Sequence, residues 1–263
     1  MYPPANDTSN AADGRSAEQV VVIIPARLAS ARFPEKVLAD RTGWPLIRHV
    51  CESARTSRRA ARVVVAADDG RVVRAVESFG GDAVLTSPSH PNGTARLAEA
   101  ARILALSDET IVVNVQGDEP EIEGGLIDAV ADALRSSAAP VATAASPMAP
   151  GEDTANPNIV KVVLRSDGTA LYFSRAAIPF PRDPTPEVMP LRHVGIYAYR
   201  ASFLQTYASL PTTPLETTEM LEQLRILEHG HTIAVAIFPV TAAGIDTPDQ
   251  YEAFVRRWRA RSS

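Results

Sequence analysis

Cysteine is almost absent from this sequence: its 263 residues include one, Cys51. A single cysteine excludes an intrachain disulfide and any cysteine-rich zinc site. Cys51 lies in an apolar pattern with helical spacing, which predicts a small buried core residue. A chain of 263 residues can bury enough apolar surface to be stable without a disulfide or a structural metal.

Long apolar runs are also missing, and no run approaches the roughly 20 residues of a transmembrane helix. We therefore predict no membrane association. Residues 1–19 are rich in Ala, Ser, Asn and Asp and lack the apolar centre of a signal peptide. We expect these residues to form a disordered tail and the protein to be cytoplasmic.

Positive charge is not in excess, because 31 Asp and Glu residues outnumber 26 Lys and Arg residues and give a formal net charge of −5. This balance argues against a general nucleic-acid surface, which needs clustered positive charge. It leaves room for a local basic pocket that binds a small anion.

Short apolar runs alternate with helical patterns through the first half of the chain. Strands are expected at 20–24, 62–66, 83–86 and 111–115, and helices at 44–56, 70–79 and 94–106. This alternation is typical of βαβ units around a parallel sheet. We therefore predict an α/β fold, with a mostly parallel, Rossmann-like sheet flanked by helices.

After about residue 140 the rhythm changes, and the sequence predicts a mixed, β-rich insertion. Strands are expected at 141–145, 159–164, 170–173, 194–199 and 232–238, and helices at 214–228 and 247–259. Ser166-Asp167-Gly168 is a hairpin turn signal between two of these strands. The five prolines of 179–190 predict a loop or an extended segment. Residues 20–263 read as a single domain.

The segment Asn114–Pro120 directly follows the apolar run 111–113. A strand that ends in Gly-Asp-Glu-Pro delivers the carboxylate of Asp118 to the rim of the sheet, where ligands bind in open α/β folds. A carboxylate there is well placed to hold Mg²⁺ against phosphate oxygens. Acids and proline are also ordinary turn residues, so a solvated turn is the alternative interpretation.

The first strand runs into a loop that carries three cations, Arg27, Arg32 and Lys36. Arginine offers a planar fork of donors and lysine a point charge, and small residues between them let backbone N–H groups approach an anion. The loop therefore predicts a phosphate cradle, although it matches neither common glycine-rich fingerprint. A solvated basic loop is the alternative.

Residues 90–94 form a turn before the third predicted helix. Gly93 permits a close approach of the backbone, and the N–H groups that follow point outward, as at an anion site. A plain turn with Thr94 as helix N-cap is the alternative.

A second acidic candidate precedes the last predicted helix, in Gly244–Pro248. Thr247 and Gln250 can form a capping box, with Pro248 at the first helical position. This leaves Asp246 free, and Asp118 and Asp246 could share one or two Mg²⁺ ions over a triphosphate.

Spacing alone assigns no role to the polar residues of the second half. Glu222 and Gln223 lie on a polar helix face of a kind that is normally solvated. His193 and Tyr197 alternate along a strand and are expected to face the same side. A lone histidine in a strand is more often structural than catalytic.

Together these segments resemble one family, the 3-deoxy-manno-octulosonate (Kdo) cytidylyltransferases. The matches occur in the family's order and extend over nearly all of the chain from Val20 to Phe254. The matching segments are 23–36, 90–97, 114–120, 156–164, 170–175, 192–200, 221–225 and 244–248.

The resemblance implies a nucleotidyltransferase fold and a Mg²⁺-dependent reaction of CTP with Kdo that gives CMP-Kdo and diphosphate for lipopolysaccharide biosynthesis. It also implies a nucleotide-binding part at about 20–140, a sugar-binding and homodimerisation part at about 141–240, and a metal-ligand loop with a C-terminal helix at 241–263.

The resemblance also implies a role for each candidate residue. Arg27, Arg32 and Lys36 would hold the triphosphate, Asp118 and Asp246 the metal, and Arg27, Lys36 and both aspartates would be catalytic. The residues near the cytidine would be His90, Asn92, Gly93, Thr94 and Gln116, and those that bind the sugar Arg175, His193, Tyr197, Glu222 and Gln223.

Three positions depart from the family pattern. Glu35 stands where glycine usually precedes the loop lysine, Ser89 where aspartate usually precedes the histidine, and Ala95 where an acid usually follows Gly-Thr. None of them removes a metal ligand. They leave open a different acidic 2-keto sugar as acceptor, such as 8-amino-Kdo or a sialic acid.

Two other classes of protein compete with this interpretation. A catalytically silent nucleotide-binding protein on the same fold is disfavoured because both Asp118 and Asp246 are retained. A glycosyltransferase usually shows an acid-x-acid metal motif, which Asp118-Glu119 does not match.

Overall fold

The computed structural model describes residues 18–29, 32–90, 92–182, 189–240 and 244–262. Most of the predicted disordered tail lies outside these residues. So do Pro91, residues 183–188 of the proline-rich segment and residues 241–243 of the predicted metal-ligand loop.

Nine strands of the described residues form one sheet. They are β1 (Val20–Ala26), β2 (Ala60–Ala67), β3 (Asp82–Leu85), β4 (Ile111–Asn114), β5 (Val141–Pro147), β6 (Lys161–Leu164), β7 (Ala170–Ser174), β8 (Leu191–Arg200) and β9 (Ile233–Ile237). The main order is β3-β2-β1-β4-β8-β5-β9, and β6 pairs with both β7 and β8.

The strands of the first half run parallel, and the insertion adds antiparallel pairs. β1 pairs in parallel with β2 and β4, whereas β8 lies antiparallel between β4 and β5. The predicted α/β class, a mostly parallel sheet with mixed strands in the second half, is confirmed.

Helices cover both faces of the sheet. They are α1 (Leu46–Ala54), α2 (Gly70–Ser78), α3 (Gly93–Ile103), α4 (Gly124–Arg135), α5 (Ala201–Ser209), α6 (Pro214–Glu219), α7 (Gln223–Glu228) and α8 (Pro248–Ser262). A short 3₁₀ helix, Lys36–Leu38, follows the basic loop. Among the described residues, none of the helices combines the length and apolarity needed to cross a bilayer.

Strand alternation divides the core between the two faces. Val22 and Ile24 of β1 pack with α1, α2 and α4 on one face, whereas Val21 and Ile23 pack with α3, α5 and α7 on the other. Cys51 is buried on α1 in the first of these clusters, as its apolar surroundings in the sequence predict.

The predicted single helix over 214–228 is wrong. The structure breaks it at Met220, which adopts a left-handed conformation with φ of 53° and ends α6. Glu222 then stands at the start of α7. Because of this break, Glu222 and Gln223 belong to a turn and a second short helix, and not to one continuous helix face.

A cluster of aromatic rings packs α8 against α1. His49 of α1 lies between Phe254 and Trp258 of α8, at centroid distances of 5.0 and 4.4 Å. Its Nε2 is 2.6 Å from the hydroxyl of Thr42. Burial, followed by the nearby charge of Arg48, lowers the pKa of His49 to about 4, so the ring is neutral in the folded protein at neutral pH.

We expect this buried histidine to destabilise the fold in acid. The unfolded chain protonates His49 near its ordinary pKa of 6.5, whereas the folded protein resists until about pH 4. The unfolded state therefore binds more protons in that window, and stability is lost as the pH falls through it. For this one group the loss is about 2 kcal/mol between pH 7 and pH 5.

His49→Phe removes the titration and keeps an aromatic ring in the cluster. Urea unfolding at pH 7 and pH 5 should show a smaller loss of unfolding free energy in the variant than in the wild type. An equal loss in both proteins would show that His49 is not responsible for the acid sensitivity.

Candidate active site

Lys36 joins the two acidic segments that the sequence singles out. Its Nζ lies 2.6 Å from Asp118 Oδ2 and 3.3 Å from Asp246 Oδ1. It also donates to the carbonyl oxygen of Ile245 at 2.9 Å. The basic loop after β1, the acidic segment after β4 and the loop before α8 therefore meet at the ammonium group of Lys36.

The carboxylate of Asp246 is not used to cap α8. The capping box predicted from the sequence is confirmed, since Thr247 N–H donates to Gln250 Oε1 at 3.0 Å and Gln250 N–H to the Thr247 hydroxyl at 3.3 Å. Asp246 instead pairs with Lys36 and with Arg32, whose Nη2 is 3.0 Å from Asp246 Oδ1.

The two aspartates fit a shared divalent cation. Asp118 and Asp246 already contact one cationic group, the Lys36 ammonium, and carboxylate oxygens are preferred ligands of Mg²⁺. Within the part of the chain that the structure describes, no three His, Cys, Asp or Glu side chains form a metal-binding group. A metal held by these two carboxylates would therefore take its other ligands from phosphate oxygens or water.

A cavity of about 240 Å³ lies beside this cluster. Its lining residues are Pro25, Arg27, Ala29, Lys36, Val37, Gly93, Gln116, Gly117 and Asp118. Arg27 is exposed at its edge. The structure thus brings together two of the predicted triphosphate residues, Arg27 and Lys36, with one of the predicted metal ligands.

Gly117 forms part of the cavity wall because its backbone approaches β1 closely. A Cβ atom built at Gly117 would lie 3.0 Å from the carbonyl oxygen of Pro25. That distance is shorter than an ordinary van der Waals contact, so any larger residue must displace the end of β1.

A buried arginine that the sequence did not single out, Arg96, helps to hold the basic loop in place through Asp68. Arg96 of α3 is fully buried and donates to the hydroxyl of Thr86 at 2.6 Å. Its Nη2 lies 3.7 Å from Asp68 Oδ2, and Asp68 Oδ1 accepts a hydrogen bond from Leu28 N–H at 2.9 Å. Arg96 and Asp68 thus connect α3 to the loop that carries Arg27.

Glu35, which stands where the family usually has glycine, keeps a backbone conformation that favours glycine. Glu35 has a φ of 55°, in the left-handed region where glycine is favoured and other residues are strained. Its carboxylate pairs with Arg71 of α2 at 2.8 Å, and its N–H donates to Leu28 O at 3.2 Å. These contacts hold the strained residue between the loop and α2.

A second cavity, of about 380 Å³, adjoins the first and shares Gly93 and Gln116 with it. Its other lining residues are Thr94, Asn114, Glu119, Gly195, Tyr197, Tyr199, Tyr207, Met220, Leu221, Glu222, Gln223 and Ile226. It therefore contains three of the predicted sugar-binding residues, namely Tyr197, Glu222 and Gln223, together with the predicted cytidine residues Gly93, Thr94 and Gln116.

His193 supports Tyr197. The two rings lie 5.5 Å apart, which confirms that both face the same side of β8. Thr143 Oγ1 is 3.0 Å from His193 Nε2, and the edge of Phe173 packs against the ring. Burial lowers the pKa of His193 to about 4.

The carboxyl groups of this cavity are harder to ionise than usual. Burial, and to a smaller extent the charge of Asp118, raises the pKa of Glu119 to about 8. Desolvation also raises the pKa of Glu222, which lies 3.5 Å from the hydroxyl of Tyr207. The cavity therefore carries less negative charge than its composition suggests.

Besides Arg32, His193 and Asp246, three further predicted site residues have protein partners and do not line either cavity. Arg175 donates to the carbonyl oxygens of Glu219 and Pro157, at 2.7 and 2.8 Å. His90 Nε2 lies 2.5 Å from a carboxylate oxygen of Glu99. The roles of Arg175 and His90 in substrate binding remain predictions.

The third is Asn92, which caps α3. Its Oδ1 accepts a hydrogen bond from Ala95 N–H at 2.9 Å, so the N-cap of this helix is Asn92 and not Thr94. Its role near the cytidine also remains a prediction.

A family model described as cytidylyltransferase matches residues 21–233. This match agrees with the α/β fold and with the cavity at the ends of β1 and β4, which is lined by Arg27 and Lys36. The protein is therefore a cytidylyltransferase.

Two curated relatives and one solved structure show to which family of cytidylyltransferases the chain belongs. The chain is 52% identical over 239 residues to the 3-deoxy-manno-octulosonate cytidylyltransferase of Syntrophobacter fumaroxidans, with 90% of this chain and 96% of that protein covered. It is 51% identical over 247 residues to the protein of the same name from Acidovorax sp., with 88% and 94% covered. The chain therefore belongs to the 3-deoxy-manno-octulosonate cytidylyltransferase family.

The solved structure is a CMP:2-keto-3-deoxy-manno-octonic acid synthetase complexed with CTP. It matches with a TM-score of 0.87 and 41% sequence identity, and the match covers 93% of this chain and 100% of that chain.

The close approach at Gly117 gives a testable prediction. Gly117→Ala should lower the free energy of unfolding by about 1–3 kcal/mol, since the methyl group overpacks the contact with Pro25. Because the displaced strand end precedes Arg27, the KM for the nucleotide should rise as well. Gly70→Ala is the matched control, since its added methyl meets only the end of the flexible Arg74 side chain.

Thermal unfolding and steady-state kinetics of both variants test this. A Gly117→Ala protein as stable and as active as Gly70→Ala would contradict the close contact.

Proposed function

We propose that the protein transfers the cytidylyl group of CTP to Kdo and releases diphosphate. The observation that carries this proposal is the convergence of Lys36, Asp118 and Asp246 on one point beside two adjoining cavities. One cavity has the cations for a triphosphate, and the other has the neutral polar groups for a polyhydroxy acid. The names of the relatives, and the CTP in the solved complex, support the same pair of substrates.

Charge neutralisation is the main task of the triphosphate cavity. CTP and the sugar acid are both anionic and repel one another. Arg27, Arg32 and Lys36 bind the phosphate oxygens and offset this repulsion, and transfer of a phosphoryl group depends on positioning and electrostatics more than on covalent catalysis. The reaction therefore needs no nucleophile from the protein.

We assign Mg²⁺ as the cofactor, with Asp118 and Asp246 as its protein ligands. A bound Mg²⁺ would neutralise phosphate charge and favour ionisation of the attacking sugar hydroxyl. Lys36 holds the two carboxylates close to each other by contacting both, and Arg32 limits the movement of Asp246.

The second cavity binds the acceptor. Tyr197, Glu222 and Gln223 contact the sugar, and His193 fixes the ring of Tyr197 from within the fold. Arg175 holds the Glu219-Met220 turn through its bond to the Glu219 carbonyl, so its effect on the acceptor is exerted at least in part through that turn.

We further propose that the protein is a cytoplasmic homodimer in lipopolysaccharide biosynthesis. Support for a second copy comes from apolar side chains around β7 and the segment after it: Leu171, Phe180 and Met189 are 53%, 83% and 54% exposed. Large apolar side chains that one copy leaves exposed are candidates for burial against a second copy.

The proposed reaction is tested by diphosphate release from purified protein with CTP and Mg²⁺. Kdo, 8-amino-Kdo and a sialic acid serve as parallel acceptors. We expect release with Kdo. Release with only one of the other acceptors would move the specificity to that sugar, and a folded protein that releases none would point to a silent nucleotide-binding protein.

The metal ligands are tested by Asp118→Asn and Asp246→Asn. Each amide keeps the shape of the side chain but removes a charged ligand, so kcat/KM should fall at least 100-fold while thermal unfolding changes little. Asp249→Asn is the matched control, because Asp249 is exposed in the first turn of α8, three residues beyond Asp246. Near-normal turnover by either active-site variant would remove that aspartate from the metal site.

A further inference from the structure

The cavity next to Tyr197 contains a buried amide without a partner. Asn114 is the last residue of β4 and pairs with Tyr197 across the antiparallel ladder to β8. It is 3% exposed, and its Oδ1 has no hydrogen-bond partner among the described residues.

A second amide faces the same cavity. Gln223 is 6% exposed, and its Nε2 also has no partner among the residues that the structure describes. Asn114 and Gln223 are far apart in the sequence, yet both line the cavity of about 380 Å³. An amide with an unpaired acceptor and an amide with an unpaired donor thus line the same cavity.

Burial of an unpaired amide costs free energy, so the presence of Asn114 at this position needs an explanation. Buried polar groups are almost always hydrogen-bonded, and an apolar residue of similar size would be more stable at an unpaired position. The preceding residues of β4, Ile111 to Val113, are all apolar and fully buried. An asparagine at the end of this strand is therefore explained by a partner that enters the cavity.

The composition of the cavity selects that partner. Its lining contains three amides, three tyrosines and two carboxyl groups, Glu119 and Glu222, but none of the lining residues is a lysine or an arginine. This environment suits hydroxyl groups, which both donate and accept hydrogen bonds, and it offers no cation to pair with a carboxylate or a phosphate. The cationic cavity, in contrast, does not include Asn114.

We propose that Asn114 binds a hydroxyl group of the sugar acceptor, in the uncharged part of the molecule, and acts there as a specificity-determining residue. The proposal rests on the proposed function for the identity of the acceptor. It places the carboxylate of the sugar outside this cavity, towards the cations.

Asn114→Val tests the proposal, because valine continues the apolar pattern of β4. We expect the KM for Kdo to rise about tenfold or more, which corresponds to about 1.4 kcal/mol, the scale of one hydrogen bond. The KM for CTP should stay within about twofold. Thermal unfolding should occur at the wild-type temperature or above it, since the unpaired amide is gone.

Gln205→Ala is the matched control. It removes an amide that has a partner, since Gln205 Nε2 donates to Ala98 O at 2.9 Å, away from both cavities. We expect it to leave both KM values unchanged. Asn114→Ser provides a second substitution if the valine variant does not fold.

Calorimetric titration of Kdo into protein loaded with a non-reactive CTP analogue separates this proposal from the proposed reaction. Wild-type protein that binds Kdo in the titration but releases no diphosphate with CTP and Mg²⁺ would overturn the proposed reaction only. Wild-type protein that binds no sugar acid would overturn both proposals. Unchanged Kdo affinity in the Asn114 variants with lower stability would show that the amide is structural. A rise in the KM for CTP alone would assign Asn114 to the nucleotide and overturn the acceptor assignment.

Discussion

The contact of one lysine with two aspartates organises the candidate active site. Lys36, Asp118 and Asp246 come from three distant segments, and each segment ends or begins an element that the rest of the core holds in place. Two like-charged carboxylates repel at such short range, and the ammonium group between them removes that penalty. The folded protein thereby holds two carboxylates close together without a net accumulation of negative charge.

Much of the surrounding structure serves to hold this point in position. The aromatic cluster at His49 fixes α8, which begins two residues after Asp246. Arg96 and Asp68 fix the loop that begins at Arg27, and the pair of Glu35 with Arg71 fixes the end of the same loop. The second cavity depends in turn on β8, because that strand places Tyr197 directly opposite Asn114.

The parallel strands and the acidic and basic loops were predictable because each leaves a local signal. Apolar runs identified β1 to β4, and the position of Asp118 after β4 placed it at the sheet edge. Two helices left no such signal: α4 begins at Gly124-Gly125 after an uncapped Glu123, and α5 follows β8 without a capping side chain. The left-handed Met220, the burial of Arg96 and the unpaired amide of Asn114 depend on tertiary packing, which sequence periodicity does not report.

The two cavities share Gly93 and Gln116, and both take part of their walls from the loop after β4. The first cavity adds the end of β1 and the basic loop, whereas the second adds residues of β8, α5 and α7. On the proposed function, substitutions in β8, α5 and α7 would alter the acceptor wall and leave the basic loop unchanged. A change of acceptor would therefore be compatible with the same triphosphate site, as long as the shared loop after β4 keeps its shape.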